Sequence, residues 1–377
     1  MISVTPKASK QNLNRQLQQK IFTFELLKFN KMNTQAYAAL DKDSALIPHT
    51  IERREPGPHD IQMDILYCGV CHSDIHQVKN DWGGTTYPIV PGHEVVGKVV
   101  KIGSHVSKYK IGDIVGVGCF VDSCRTCNPC KDGEENFCEG GIVWTYNSKM
   151  AGESLPTYGG YSKSMVVDEQ YALRVDPKMD LTRVAPLLCA GITTYSPLRH
   201  WKVGKGSKLG VLGLGGLGHM AVKFGVAFGA EVTVLSSSEN KRADALALGA
   251  HQFVNYKNAA EAATCNSKFD LIIDSVSAEH NLNFFMTMLK RDATMVLLGI
   301  PAVPTEFSHR SVISKRRNLS GSGIGGTKET QEMLDFCAEH QIYCDVEMIK
   351  LSEINTAYER MLNNDVKYRF VIDLNAE

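Results

Sequence analysis

Cys124, Cys127, Cys130 and Cys138 follow the spacing CxxCxxCx7C inside a loop-like stretch, SCRTCNPCKDGEENFC. Four thiolates that converge can close a tetrahedron around Zn2+ and leave no position for a reactant. The spacing therefore predicts a structural zinc, with disulfides and a four-cysteine iron–sulfur cluster as competing uses. A second group is scattered along the chain. GVCHSDIH supplies Cys71, His72, Ser73, Asp74 and His76, VPGHEVVG supplies His93 and Glu94, and PLLCAGITTYS supplies Cys189. One cysteine, one histidine and a further cysteine from separate segments are the ligand set of a catalytic zinc whose fourth position stays open. Taken singly, each has a plainer use, Cys189 as a small buried apolar residue and either histidine as a structural donor.

A third pattern is the glycine run GVLGLGGLGHMAVKFG, which holds GxGxxG at Gly213, Gly215 and Gly218, with Leu214, Gly216 and Leu217 between them. It follows a strand pattern and opens a helical one, the setting in which such a loop binds a dinucleotide. Gly213 permits the tight turn, Gly215 lets backbone N–H groups approach a pyrophosphate, and Gly218 lets the helix lie close on the sheet. An NAD site would carry an acid about twenty residues further on, for the ribose 2′-OH. This chain instead reads EVTVLSSSENKR, placing Ser236 and Ser237 there with Lys241 and Arg242 close behind. Hydroxyls and cations suit a 2′-phosphate that a carboxylate would repel, so NADP(H) is the expected cofactor. Lys241 and Arg242 could also simply begin the next helix on its solvated side.

Two kinds of scaffold are needed to position these groups. From Tyr37 to about Val184 the chain shows short β-rich runs broken by Gly, Pro and Asp, among them DIQMDILYCGV, HEVVGKVVKIG, DIVGVGCFV and YSKSMVVDEQYALRV, which predict a mostly antiparallel β unit. From Gly206 strands (KLGVLG, EVTVLS, FDLIIDSV, TMVLLGI) alternate with helical patterns (GHMAVKFGVAFGA, ENKRADALALGA), as in a doubly wound parallel sheet. Two helical patterns, KETQEMLDFCAEH and EINTAYERMLNN, and a last β run, YRFVIDL, close the chain. Residues 1–33 read as an extension outside the fold, basic and rich in Gln and Asn.

The 377 residues, 43% hydrophobic and 22% charged, can fill two cores. Lys+Arg and Asp+Glu both number 41, which argues against a nucleic-acid or anionic-membrane partner, including a zinc ribbon that would use the four-cysteine loop for that purpose. No apolar stretch reads as a spanning helix. Eleven cysteines without a secretory pattern suit a reducing, cytoplasmic setting, and a small neutral substrate suits the zero net charge.

GHEVVGKVVKIG, the four-cysteine stretch, CAGITTYSPLRHW, GLGGLGHMAVKF and KETQEMLDFCAEH together resemble the zinc-dependent medium-chain alcohol dehydrogenases, in particular their cinnamyl alcohol dehydrogenase-like branch. The resemblance runs from about residue 34 to residue 373. It implies an α/β chain with a GroES-like catalytic domain (34–186 and 325–377) around a Rossmann domain (187–324), two zinc ions per chain, NADP(H) and a homodimer. By the same resemblance Cys71, His93 and Cys189 hold the catalytic zinc, with Glu94 behind it as an exchangeable ligand.

The implied reaction is hydride transfer between NADP(H) and a zinc-polarised carbonyl, interconverting aldehydes and primary alcohols. Ser73, also beside the cofactor, would hydrogen-bond the reacting oxygen, His76 would pass its proton to solvent, and Asp74 would orient His93. The resemblance places Thr193 beside the nicotinamide, Ser275, Gly299, Ser322, Gly323 and Ile324 along the cofactor with the backbone of residues 322–324 facing the nicotinamide carboxamide, and Trp82, Cys119, Trp144 and the Gly323 loop around the substrate. Gly84 and Gly323 stand where plant members commonly carry bulkier residues, which implies a wide cleft and a broad aldehyde range. A silent dinucleotide-binding relative and a dehydrogenase for NAD-linked polyol or simple alcohol oxidation are the competing readings.

Overall fold

A computed structural model describes residues 31–301 and 303–376. The expected extension lies mainly outside these residues. Its last three are a correction: residues 31–33 belong to the strand Lys31–Ala38, which pairs antiparallel with Ile47–Arg54 so that Lys31 faces Arg54 and Asn33 faces Glu52. Lys31 and Asn33 are exposed, so this end of the hairpin is held by backbone pairing and carries no apolar signal.

The β-rich region forms a seven-stranded sheet. Its order is Val346–Lys350, Arg369–Asp373, Asp60–Val70, Val95–Ile102, Ile114–Val117 and Leu173–Arg174, with Ser164–Asp168 also pairing on Asp60–Val70. Every pairing is antiparallel except that of Val346–Lys350 with Arg369–Asp373. Ile61, Met63, Ile65, Val95, Val99, Val115 and Val117 are buried at the centre of its core.

The second sheet has six strands, all parallel, in the order Gln252–Asn255, Glu231–Ser236, Lys208–Leu212, Phe269–Asp274, Leu289–Leu297 and Asn318–Gly321. The chain starts at the third position, runs outward one way and then the other. The reversal lies between Lys208–Leu212 and Phe269–Asp274, and in doubly wound sheets ligands bind in the crevice there, beyond the carboxyl ends of the strands. Gly213 sits at that end with φ 89°, a conformation that favours glycine. The helix Gly218–Ala227 then packs back so closely that a Cβ on Gly218 would stand 2.2 Å from the Gly213 carbonyl oxygen. The α/β fold class, a GroES-like unit with a Rossmann sheet, is as the sequence implies.

Candidate active site and cofactor cleft

Cys71 follows the strand Asp60–Val70 and precedes the short helix His72–Val78. Asp74, in the first turn, accepts the Cys71 backbone N–H (2.9 Å) on one carboxylate oxygen. Its other oxygen accepts the Gly92 N–H (3.1 Å) and lies 3.0 Å from His93 Nδ1. Fully buried, Asp74 thus ties the Cys71 segment to the His93 segment and leaves His93 Nε2 to face inward. Cys189 arrives at the start of the helix Ala190–His200. One ligand atom from each of Cys71, His93, Glu94 and Cys189 lies within 4.8 Å of the other three.

The donor chemistry of this cluster fits zinc. Two thiols, an imidazole and a carboxylate form a mixed S, N and O set, and Glu94 Oε2 is buried with no hydrogen-bond partner among the described residues. Hydrogen bonding with Cys189 holds the Cys71 thiol well below its usual range. Burial pushes the Glu94 carboxyl up to about 7 against the pull of Arg369. A cation among these groups would compensate buried donors that now compensate one another only in part.

Around the cluster, Ser73 Oγ lies 3.7 Å from Cys71 Sγ. His76 Nδ1 lies 2.8 Å from Asp81, and its ring is 5.2 Å from Trp82. Of the residues expected around the substrate, Cys119 is buried and lines a small cavity with Leu188, Ile192 and Ile324. Trp82 and Trp144 are 48% and 49% exposed, so they could only flank an open cleft. Gly84 has φ 75° and Gly323 does not take the left-handed conformation, and a Cβ on either would meet nothing within 4 Å.

The dinucleotide side is built from strand ends. A Cβ on Gly215 would likewise meet nothing within 4 Å, leaving open space over the loop at the helix N-terminus, as a pyrophosphate requires. Ser236 ends its strand and its Oγ accepts the Ser238 N–H (3.2 Å), with half-buried Ser237 beside it. Lys241 Nζ donates to the Leu214 carbonyl (2.9 Å), which holds the ammonium against the glycine loop. Arg242 is engaged elsewhere, paired with Glu239 and Glu261 over the ring of Phe253. Ser275 Oγ donates to the Leu212 carbonyl (2.9 Å) beneath Gly213, Gly299 N–H bonds Asp274 O, and Ser322 N–H bonds Leu297 O. Thr193 N–H bonds the Cys189 carbonyl (2.9 Å), one helical turn from the metal cluster.

The four-cysteine lobe closes on itself. Sulfur separations are 3.9 Å (Cys124–Cys130), 3.4 Å (Cys127–Cys130) and 4.0 Å (Cys127–Cys138). Zn–S bonds of about 2.3 Å would require tetrahedral edges of roughly 3.8 Å. Backbone N–H groups of Thr126 and Cys127 lower the Cys124 thiol to about 5. They favour a thiolate there.

Arg369 is the participant that motif reading missed. Its guanidinium pairs with Glu94 from 275 positions away, and a Cβ on Gly216 would come within 3.1 Å of its Nη1, so one buried side chain touches both the metal cluster and the glycine loop. No local pattern marks it, since it is one cation in a terminal strand.

The chain matches the family described as alcohol dehydrogenase GroES-like domain over residues 57–177, and that described as zinc-binding dehydrogenase over residues 216–339. It is 56% identical over 348 residues to aldehyde reductase YahK of Escherichia coli (strain K12), covering 91% of this chain and 98% of that protein. It is 53% identical over 339 residues to NADP-dependent alcohol dehydrogenase C 1 of Mycolicibacterium smegmatis, covering 90% and 97%. Among solved structures, the cinnamyl alcohol dehydrogenase SbCAD4 from Sorghum bicolor is similar with a TM-score of 0.89 at 44% identity, covering 92% of this chain and 99% of the other. A Helicobacter pylori CAD complexed with NADP(H) gives 0.87 at 43%, covering 92% and 100%.

Proposed function

The chain belongs to the zinc-binding alcohol dehydrogenases, an NADP-linked aldehyde reductase and alcohol dehydrogenase by its relatives, and from that premise we propose which of its residues perform the reaction and on what substrates. The observation that carries the assignment is the convergence of Cys71, His93, Glu94 and Cys189 from three segments into one buried cluster. When bound there, zinc supplies Lewis-acid polarisation of the substrate carbonyl, and the dinucleotide supplies the hydride.

The protein's own groups do the rest. Cys71, His93 and Cys189 would hold the ion, Asp74 fixes His93 through Nδ1, and Glu94, paired with Arg369, would serve as an exchangeable ligand behind it. Ser73 Oγ hydrogen-bonds the substrate oxygen and His76 exchanges the proton with solvent, a role that suits its partly exposed ring beside Trp82. Residues 213–218 cradle the pyrophosphate, Ser236, Ser237 and Lys241 hold the 2′-phosphate, and Thr193, Ser275, Gly299 and residues 322–324 line the rest of the cofactor. The lobe at Cys124, Cys127, Cys130 and Cys138 holds the structural zinc. The functional division is a catalytic unit of residues 34–186 and 325–377 and a dinucleotide unit of residues 187–324.

Two predictions test this reading. Ser236→Asp places a carboxylate where the 2′-phosphate is proposed to sit. The KM for NADPH should rise about 10- to 100-fold, the scale of losing a charge-assisted hydrogen bond and gaining repulsion, while NADH use improves. Steady-state rates with both cofactors decide it, and an unchanged preference would remove Ser236 from the site. The second concerns substrate range, proposed to span aromatic and aliphatic aldehydes. Gly323→Phe adds bulk at a position with ordinary backbone and free space, unlike Gly84, where φ 75° would add strain. The ratio of kcat/KM for butanal over cinnamaldehyde should shift several-fold, and identical ratios would place Gly323 outside the pocket.

We also propose a homodimer in the cytoplasm. The strand Asn318–Gly321 leaves one edge of the parallel sheet open, and Ile300, Val303 and Ile313 in the segments leading to it are exposed. Among the described residues no helix is long and apolar enough to cross a membrane.

A further inference from the structure

We infer that the four-cysteine lobe positions the nicotinamide end of the cofactor site, with Asn136 and Glu135 as the positioning residues. The inference rests on the cofactor reading above and assigns to the lobe a part in that site. Asn136 Nδ2 donates to the Gly323 carbonyl (3.0 Å) across 187 residues of sequence. Its neighbour Glu135 receives two hydrogen bonds from Thr327, the backbone N–H on Oε2 and the hydroxyl on Oε1, each 2.8 Å. Thr327 opens the helix Thr327–His340, and Gly326, the residue before it, has no side chain with which to cap that helix. Glu135 therefore caps it from another element, with its charge at the favourable end of the dipole.

The two residues grip both sides of one short loop. Residues 322–326 join the last strand of the parallel sheet to that helix, and they carry the three positions proposed to face the cofactor. Ile324 is held at φ 47°, a conformation that a branched side chain adopts only when its surroundings impose it. The backbones meet closely at the same place, since a Cβ on Gly326 would stand 1.9 Å from the Gly133 carbonyl oxygen. Asn136 Oδ1 is buried without a partner among the described residues. That uncompensated acceptor fits a side chain placed for the single bond its amide makes to Gly323.

Both ends of the Glu135–Asn136 pair are set by cysteines of the lobe, with Cys130 before it and Cys138 two residues after Asn136. A closed lobe thus presents the Asn136 amide at a fixed place, and the loop takes its position from it.

The test compares the full-length protein with Asn136→Ala and Glu135→Gln, using NADPH and 2′,5′-ADP as probes in fluorescence and calorimetric titrations. The second probe lacks the nicotinamide. Asn136→Ala should raise the Kd and KM for NADPH about three- to tenfold, the worth of one net hydrogen bond, with kcat changed less. Binding of 2′,5′-ADP, zinc content and Tm should stay near wild type. Glu135→Gln keeps one acceptor and should show a smaller effect in the same direction. Equal weakening of both probes would mean a general loss of structure and would overturn the inference, as would an unchanged Kd for NADPH. A wild type that binds 2′,5′-ADP and NADPH upholds the cofactor reading whatever the variants do, and one that binds neither overturns both.

Discussion

Cys71→Ser is expected to lower kcat/KM for NADPH-dependent aldehyde reduction by about a thousandfold or more while leaving a folded protein. Loss of Lewis-acid polarisation is worth several kcal/mol of barrier, and each 1.36 kcal/mol is tenfold in rate. The fold should survive for a local reason. Residue 71 precedes the helix His72–Val78 and donates its backbone N–H to Asp74, a bond that serine keeps, and serine is itself a preferred cap. Zinc content should drop from two ions per chain to one, with little change in Tm. Two ions and activity within tenfold of wild type would refute the assignment of the reacting metal to this cluster.

Cys124→Ser should act in the opposite way, on stability before chemistry. The lobe's short elements, Asn128–Asp132 and Glu135–Phe137, bury no side chain fully, so metal ligation has to replace a hydrophobic core there. Losing one of four ligands should cost several kcal/mol, a fall in Tm of roughly 5–10 °C at about 2 °C per kcal/mol for a large domain. Zinc again falls to one ion, and limited proteolysis should cut between residues 119 and 145. An unaltered melting curve with one zinc would show that the lobe folds without metal.

The parts legible in the sequence are those whose residues lie near one another along the chain. The glycine loop and the four-cysteine lobe announce themselves because turn, helix and ligand spacing are all local, and the strand Glu231–Ser236 ends at the serine whose type speaks for the cofactor. The reacting cluster was harder. Cys71 and Cys189 are far apart in sequence, and each alone reads as an ordinary buried cysteine, so only resemblance to a family joined them to His93. Arg369 and the Asn136–Gly323 bond were invisible, since they depend on how two sheets and a loop meet in space. The start of the first strand was misplaced because Lys31–Asn33 pair through backbone and bury little.

The seven-stranded sheet also imposes an order in time. Val70 pairs with Phe370 and Tyr67 with Asp373, so a strand that begins forming near the start of the chain finds one neighbour only near its end. The six parallel strands between them come from one run of chain, residues 208–321, and pair only with one another. Until residues 346–373 follow, the Tyr67–Val70 end of the strand lacks a neighbour on one edge and Glu94 has no Arg369. The buried carboxylate of Glu94 therefore gains its partner only once a strand 275 residues further along the chain has been made and has docked.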